Sequence, residues 1–166
     1  MADKGQDDRI IVFGTTEFLA HLCSTPNGEV FMDGTFNSFP SIFGQLYTVH
    51  FRFAGQTFAA VFALLPDRRE QTYVRFLDIL KNAARDIGLT FSPRIVLIDF
   101  EPAIRTAIAS ILSKTVIRGC FFHFAQCIWR KVQDLGLVTA YKQNSSLRKT
   151  VRRIAALPLM PLNALG

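Results

Sequence analysis

Two aspartates each close an apolar, strand-like run. Asp33 ends the first in Glu29-Val30-Phe31-Met32-Asp33-Gly34-Thr35-Phe36, and Asp99 the second in Arg94-Ile95-Val96-Leu97-Ile98-Asp99-Phe100-Glu101. A carboxylate at the end of a buried strand is costly unless something uses its charge. If the two strands are neighbours, Asp33 and Asp99 converge on one hard cation. Mg²⁺ suits such a pair, because it takes one or two protein carboxylates and completes its shell with water and phosphate oxygens. Two such ions can activate a water and stabilise a leaving oxygen in phosphodiester chemistry. Each aspartate also has a plain structural reading, Asp33 as a turn residue before Gly34 and Asp99 as a helix N-cap. Glu101 is either a third acid or a first-turn residue of the helix opened by Pro102, complementing its dipole.

Cys120-Phe121-Phe122-His123, with Cys127 four residues further on, has the spacing of half a zinc site. A structural zinc site needs four ligands, and no second pair is evident, so zinc is not expected. The plain reading is a buried Cys at a strand end and a hydrogen-bonded His at a helix start. A further reading puts His123 beside the acid pair, touching phosphate or water. His21 and His50 have no local partner and read as structural. The chain has no glycine-rich phosphate loop, no nucleophile elbow and no paired CxxC.

Positive charge is the other chemical resource. The net charge is +6, and it is unevenly placed. Eight Lys or Arg and a single acid, Asp134, lie between Arg118 and Arg153, against eleven bases and twelve acids elsewhere. The excess points to a polyanion partner or, more plainly, to a solvated helical face. Arg130, Lys131, Arg148, Lys149, Arg152 and Arg153 fall on predicted helices and are the candidate contacts. Trp129 can stack on a base, but it shares a helix with Phe124, Ile128 and Val132 and reads as core.

These residues need a frame. Residues 1–28 read as an entry arm with a short strand at 10–13, a short helix at 16–23 and turn chemistry over Ser24-Thr25-Pro26-Asn27-Gly28. Strands follow at 29–33, about 43–53 and about 56–65, the last two joined by a tight Ala54-Gly55 turn. Tyr73, Phe76, Leu77, Leu80, Ala84 and Ile87 recur at helical spacing, so a helix is predicted over 70–87. A nearly all-apolar strand at 94–98 suits the middle of a sheet. A helix from Pro102, a strand at 115–119, a helix at 124–135 and a basic helix at 146–156 complete the order. Hairpin-linked strands followed by strands alternating with helices predict an α/β fold, a mixed sheet with helices on its faces.

At 166 residues, 49% apolar and 19% charged, the chain suits one globular domain, and sixteen Phe promise a thick core. No apolar run reaches the ~18–20 residues of a membrane span, and the polar start is no signal peptide. Three cysteines, Cys23, Cys120 and Cys127, make no disulfide framework, so a reducing compartment is expected.

Six short motifs, in order and at compatible spacing, resemble the transposase domain of Mutator-like elements. They are Asp33-Gly34-Thr35-Phe36, Phe43-Gly44-Gln45-Leu46-Tyr47, Ala63-Leu64-Leu65-Pro66, Asp99-Phe100-Glu101, Gly119-Cys120-Phe121-Phe122-His123 and Gln126-Cys127-Ile128-Trp129-Arg130-Lys131. The likeness covers about residues 8–161, with a core from 29 to 166. It implies a ribonuclease-H-like fold and an Asp/Asp/Glu triad binding Mg²⁺ or Mn²⁺. It also implies DNA as partner, strand cleavage and transfer as activity, the nucleus as location, and a homo-oligomer in a full-length form. Asp33 matches the first acid, Asp99 the second, and Cys120 and His123 the family's Cys-x-x-His signature. The third acid of the family comes from a helix well beyond that signature. Here the only acid after Glu101 is Asp134. The expectation is a partial domain, cut before its last catalytic helix and inactive as an isolated chain. The other expectation is a transposase-derived domain that binds nucleic acid or protein without catalysis.

Overall fold

The computed structural model describes residues 8–25, 28–35 and 40–161. Pro26 and Asn27 of the expected turn, Phe36 of the first motif, and residues 1–7 and 162–166 lie outside them. The chain divides into two compact units, residues 1–118 and 119–166.

The first unit is built on a six-stranded mixed sheet in the order β1-β4-β3-β2-β5-β6. The strands are β1 (Ile11–Gly14), β2 (Glu29–Thr35), β3 (Gln45–Phe53), β4 (Gln56–Leu65), β5 (Ile95–Ile98) and β6 (Val116–Gly119). β2, β3 and β4 form an antiparallel meander, and β1 pairs antiparallel with β4, Ile11 opposite Leu64. The segment read as an entry arm thus supplies an edge strand and a helix. β5 runs parallel to β2, with Glu29 beside Ile95 and Phe31 beside Leu97. The β3–β4 turn has positive φ at both central residues, 48° at Ala54 and 79° at Gly55. This is the handedness that matches the twist of a two-residue hairpin.

Alternation along the strands selects the buried face. Val30 and Met32 on β2, Tyr47, Val49 and Phe51 on β3, Val61, Ala63 and Leu65 on β4, and Val96 and Ile98 on β5 join one core. Its other side comes from α1 (Thr16–Cys23), α2 (Glu70–Asp86) and α3 (Pro102–Ile111). The predicted stripe of α2 does its work: Tyr73, Phe76, Leu77, Leu80 and Ala84 are buried, while Arg75, Asp78, Lys81 and Arg85 are exposed.

β2 runs two residues further than the sequence pattern indicated. Gly34 and Thr35 continue its pairing with β3, so Asp33 sits within the strand, opposite Thr48. Polar residues can extend a strand wherever a neighbour supplies the ladder, which the apolar pattern does not reveal.

The second unit contains α4 (Phe121–Asp134), α5 (Val138–Gln143), α6 (Ser145–Ala156) and a 3₁₀ turn at Leu157–Leu159. α4 begins three residues before the predicted start, with Cys120 as its N-cap residue. Asn144 caps α6, its Oδ1 accepting from Ser146 N at 2.9 Å and Leu147 N at 3.1 Å. Trp129, expected in the core, is exposed, and its ring meets the Tyr141 ring edge-on at 5.2 Å. Among the described residues, no helix is long and apolar enough to cross a membrane.

Asp67 organises the entry to α2. Its Oδ1 accepts from Arg69 N at 2.9 Å and from Thr72 Oγ1 at 2.6 Å. Burial raises the Asp67 pKa, but these bonds and the Arg69 side chain outweigh it and hold the carboxyl below its usual range. A carboxyl with a lowered native pKa stabilises the fold above its unfolded pKa of ~3.9 and loses that contribution as pH falls through the native value. Asp67→Ala is therefore expected to cost about 1 kcal/mol at pH 7. In paired urea melts the gap to the parent should narrow below about pH 4; a gap that widens in acid contradicts this account.

Candidate functional site

Extending the β2–β5 register by two residues sets Asp33 level with Asp99, which stands directly after β5. Adjacent strands lie about 4.8 Å apart, so the two carboxylates belong to neighbouring backbones on the same side of the chain reversal. Both residues are half-buried. The condition set by the sequence, that the two strands are neighbours, holds for β2 and β5.

Each aspartate is held by its surroundings. The Thr48 hydroxyl donates to the Asp33 carbonyl at 3.2 Å. Its single proton is then spent, so the contact between Thr48 Oγ1 and His50 Nε2 at 2.9 Å is a donation from the imidazole. Burial lowers the His50 pKa, against the pull of Asp33. Asp99 Oδ1 accepts from Glu101 N at 3.2 Å. The Asp99-Phe100-Glu101 turn leads into α3, whose first residue is Pro102.

Glu101 does not cap its own helix: its side chain makes no cap hydrogen bond. Oε2 instead accepts from Tyr73 OH at 3.0 Å. Its carboxyl is held above the usual range, by burial first and by the Asp99 charge, against the Tyr73 hydrogen bond and the Arg68 charge. Tyr73 in turn meets Gln45, whose Nε2 lies 2.9 Å from Tyr73 OH. Gln45 and Tyr73 are both fully buried. Their pairing was not legible in the sequence, because a polar pair 28 positions apart has no local signature.

Tyr47 lies beside this group, its ring 5.2 Å from that of Tyr73. Its hydroxyl is buried and, among the described residues, has no hydrogen-bond partner. Burial drives its pKa well up, and the charges of Asp99, Glu101 and Asp33 add to that. Its electrostatic neighbours are acidic or phenolic.

The donor set fits a hard divalent cation. It consists of two carboxylates on adjacent backbones, a third carboxyl crowded by the second, and an unspent hydroxyl beside them. Asp33 and Asp99 are the two that could hold a divalent cation, a complement that leaves room for water and phosphate oxygens. Among the described residues, no three His, Cys, Asp or Glu side chains gather as metal ligands.

The remaining candidates lie in the second unit. Cys120 is half-buried at the α4 N-cap, His123 lies in the first turn, and Cys127 is exposed. Arg130 and Lys131 are exposed on α4, as are Lys149, Arg152 and Arg153 on α6. Arg148 is half-buried and donates from Nη1 to the Lys142 carbonyl at 3.0 Å. Spacings of three and four put Lys149, Arg152 and Arg153 on one helix face.

Tyr47→Phe tests the orphaned hydroxyl. Removing a buried donor without a partner relieves a desolvation penalty, so the variant should gain about 1–2 kcal/mol in cation-free urea unfolding. A loss of stability would mean the hydroxyl has an acceptor after all.

A family model described as "MULE transposase domain" matches residues 29–127. That segment contains Asp33, Asp99, Glu101, Cys120 and His123. A search of the curated proteins found no match. The matched segment is well over half of the chain and carries the two level aspartates on an α/β frame; the chain belongs to the MULE transposase domain family.

Proposed function

We propose that this chain is part of a DNA transposase catalytic domain in which Asp33 and Asp99 hold Mg²⁺ or Mn²⁺ for strand cleavage and transfer. The observation that supports the reading is the placement of Asp33 on β2 level with Asp99 just after the parallel neighbour β5, within the segment matched by the family. When bound, the cation supplies Lewis-acid polarisation of phosphate oxygens and a water of lowered pKa. The chain's own groups do the rest. Thr48 and His50 fix the backbone at Asp33, and the Glu101 amide orients the Asp99 carboxylate.

DNA is the substrate in this reading, and the exposed bases Arg130, Lys131, Lys149, Arg152 and Arg153 contact its phosphates. Arg148 supports α6 through Lys142 and contributes charge more than contact. The place of action is the nucleus, and a longer form acts as a homo-oligomer. Cys120 and His123 are retained as family positions and are given no step.

A second reading is a non-catalytic, transposase-derived domain that binds nucleic acid or protein. The cationic face of α6 and the pairing of only two carboxylates favour it. Two experiments separate the readings. In a form of the protein extended to supply a third acid, Asp33→Asn and Asp99→Asn should each abolish Mn²⁺-dependent strand cleavage while leaving the thermal melt unchanged. Cleavage that survives either change refutes the catalytic assignment. For binding, the triple change Lys149→Ala, Arg152→Ala, Arg153→Ala should flatten the slope of log K against log salt by roughly 2–3. An unchanged slope removes α6 from the DNA contact in both readings.

A further inference from the structure

Glu101 is left without a role by the helix it precedes, and a chain of hydrogen bonds, buried between Gln45 and Tyr73 and part-buried at its ends, supplies one. Gln45 Nε2 donates to the Asp67 carbonyl at 3.1 Å and to Tyr73 OH at 2.9 Å, so both amide hydrogens are spent. The Tyr73 hydroxyl has one proton and two acceptors in reach, Glu101 Oε2 at 3.0 Å and Gln45 Oε1 at 3.3 Å. The shorter contact, to a carboxylate, takes it. The relay therefore has a direction, from β3 through α2 to Glu101. From Glu101 it continues through the backbone, whose amide donates to Asp99 Oδ1 at 3.2 Å.

A Gln–Tyr pair buried in an apolar core and ending on a half-buried Glu costs desolvation that an apolar replacement would avoid. What it secures is the short Asp99-Phe100-Glu101 turn, which β5 no longer pairs and which precedes the first turn of α3. We propose that Glu101 is a positioning residue, clamped by Tyr73 and Gln45 so that its amide holds the Asp99 carboxylate facing Asp33 in readiness for the cation. This rests on the reading of Asp33 and Asp99 as cation ligands. Glu101 acts through its backbone and through the fixed end of its side chain, without touching the cation. Groups that orient metal ligands in this way typically contribute about 10–100-fold to metal affinity.

The test uses the whole 166-residue chain and Mn²⁺ alone, with free Mn²⁺ followed by electron paramagnetic resonance. Hydrogen exchange at the Glu101 amide is measured in parallel without metal. Asp33→Asn and Asp99→Asn should lose Mn²⁺ binding. Glu101→Ala and Tyr73→Phe should each weaken it by about 10-fold, and the double variant should be no weaker than either alone. Glu101→Gln keeps an acceptor for Tyr73 and should stay within about 3-fold of the parent, a smaller loss than removing the orienting group. Tyr73→Phe should speed exchange of the Glu101 amide while leaving the β5 amides unchanged. Parental affinity in Glu101→Ala or Tyr73→Phe overturns the clamp. So does a Glu101→Gln variant as weak as Glu101→Ala, which would make the charge itself a ligand. A parent chain that binds no Mn²⁺ sinks the cation reading instead; the exchange data then decide the clamp separately, faster exchange keeping it and unchanged exchange overturning it.

Discussion

β2 and β5 run side by side with Phe31 next to Leu97, and that parallel register is the constraint on which the acid pair depends. The register is enforced from the buried face. Val30 and Val96 stand opposite each other, both with no exposed surface. A slip of one residue on either strand would turn that strand's apolar set away from the helices and drive Phe31 and Asp33 toward them. The approach is also close at the start of the pair, where a Cβ on Gly28, at φ +62°, would meet Arg94 N at 2.9 Å. Apolar burial and one glycine thus fix where two charges stand, although neither touches a carboxylate.

The polar relay behind the acids has the opposite logic. Gln45 and Tyr73 are both fully buried, where an unsatisfied polar group costs about 1–3 kcal/mol. Nearly every donor in the group is spent, and the relay ends on a carboxylate. Tyr47 is the exception, a buried hydroxyl with no hydrogen-bond partner among the described residues, beside a site rich in negative charge. A core that satisfies one tyrosine fully and leaves its neighbour bare is asymmetric in a way that stability alone does not favour.

What could be read in the sequence follows from the range of each signal. The α2 stripe and the hairpin at Ala54-Gly55 are local patterns and were legible, as was Asp99 at a strand end. The length of β2 past Asp33 was not, because Gly34 and Thr35 are strand residues only through β3. α5, from Val138 to Gln143, is too short for a periodicity to emerge. Trp129 lies on the apolar side of its own helix pattern, yet it is exposed and meets Tyr141, a partner from another helix. The relay joins Gln45, Tyr73 and Glu101 across 28-residue gaps, so only the fold reveals it.

A pair of carboxylates differs physically from a complete cage. Two aspartates leave most of a divalent cation's shell to water and phosphate, because Mg²⁺ dehydrates reluctantly. On the proposed reading, the cation and a DNA phosphate are therefore ligands of each other as much as of the protein. Linkage then requires that each tighten the other's binding by the same factor. Without phosphate, two half-buried carboxylates hold a cation weakly, and their orientation decides how weakly. That makes the geometry of the turn after β5 matter more here than in a site with ligands to spare. It gives a physical reason for a relay from the buried Gln45–Tyr73 pair to end on Glu101, beside Asp99.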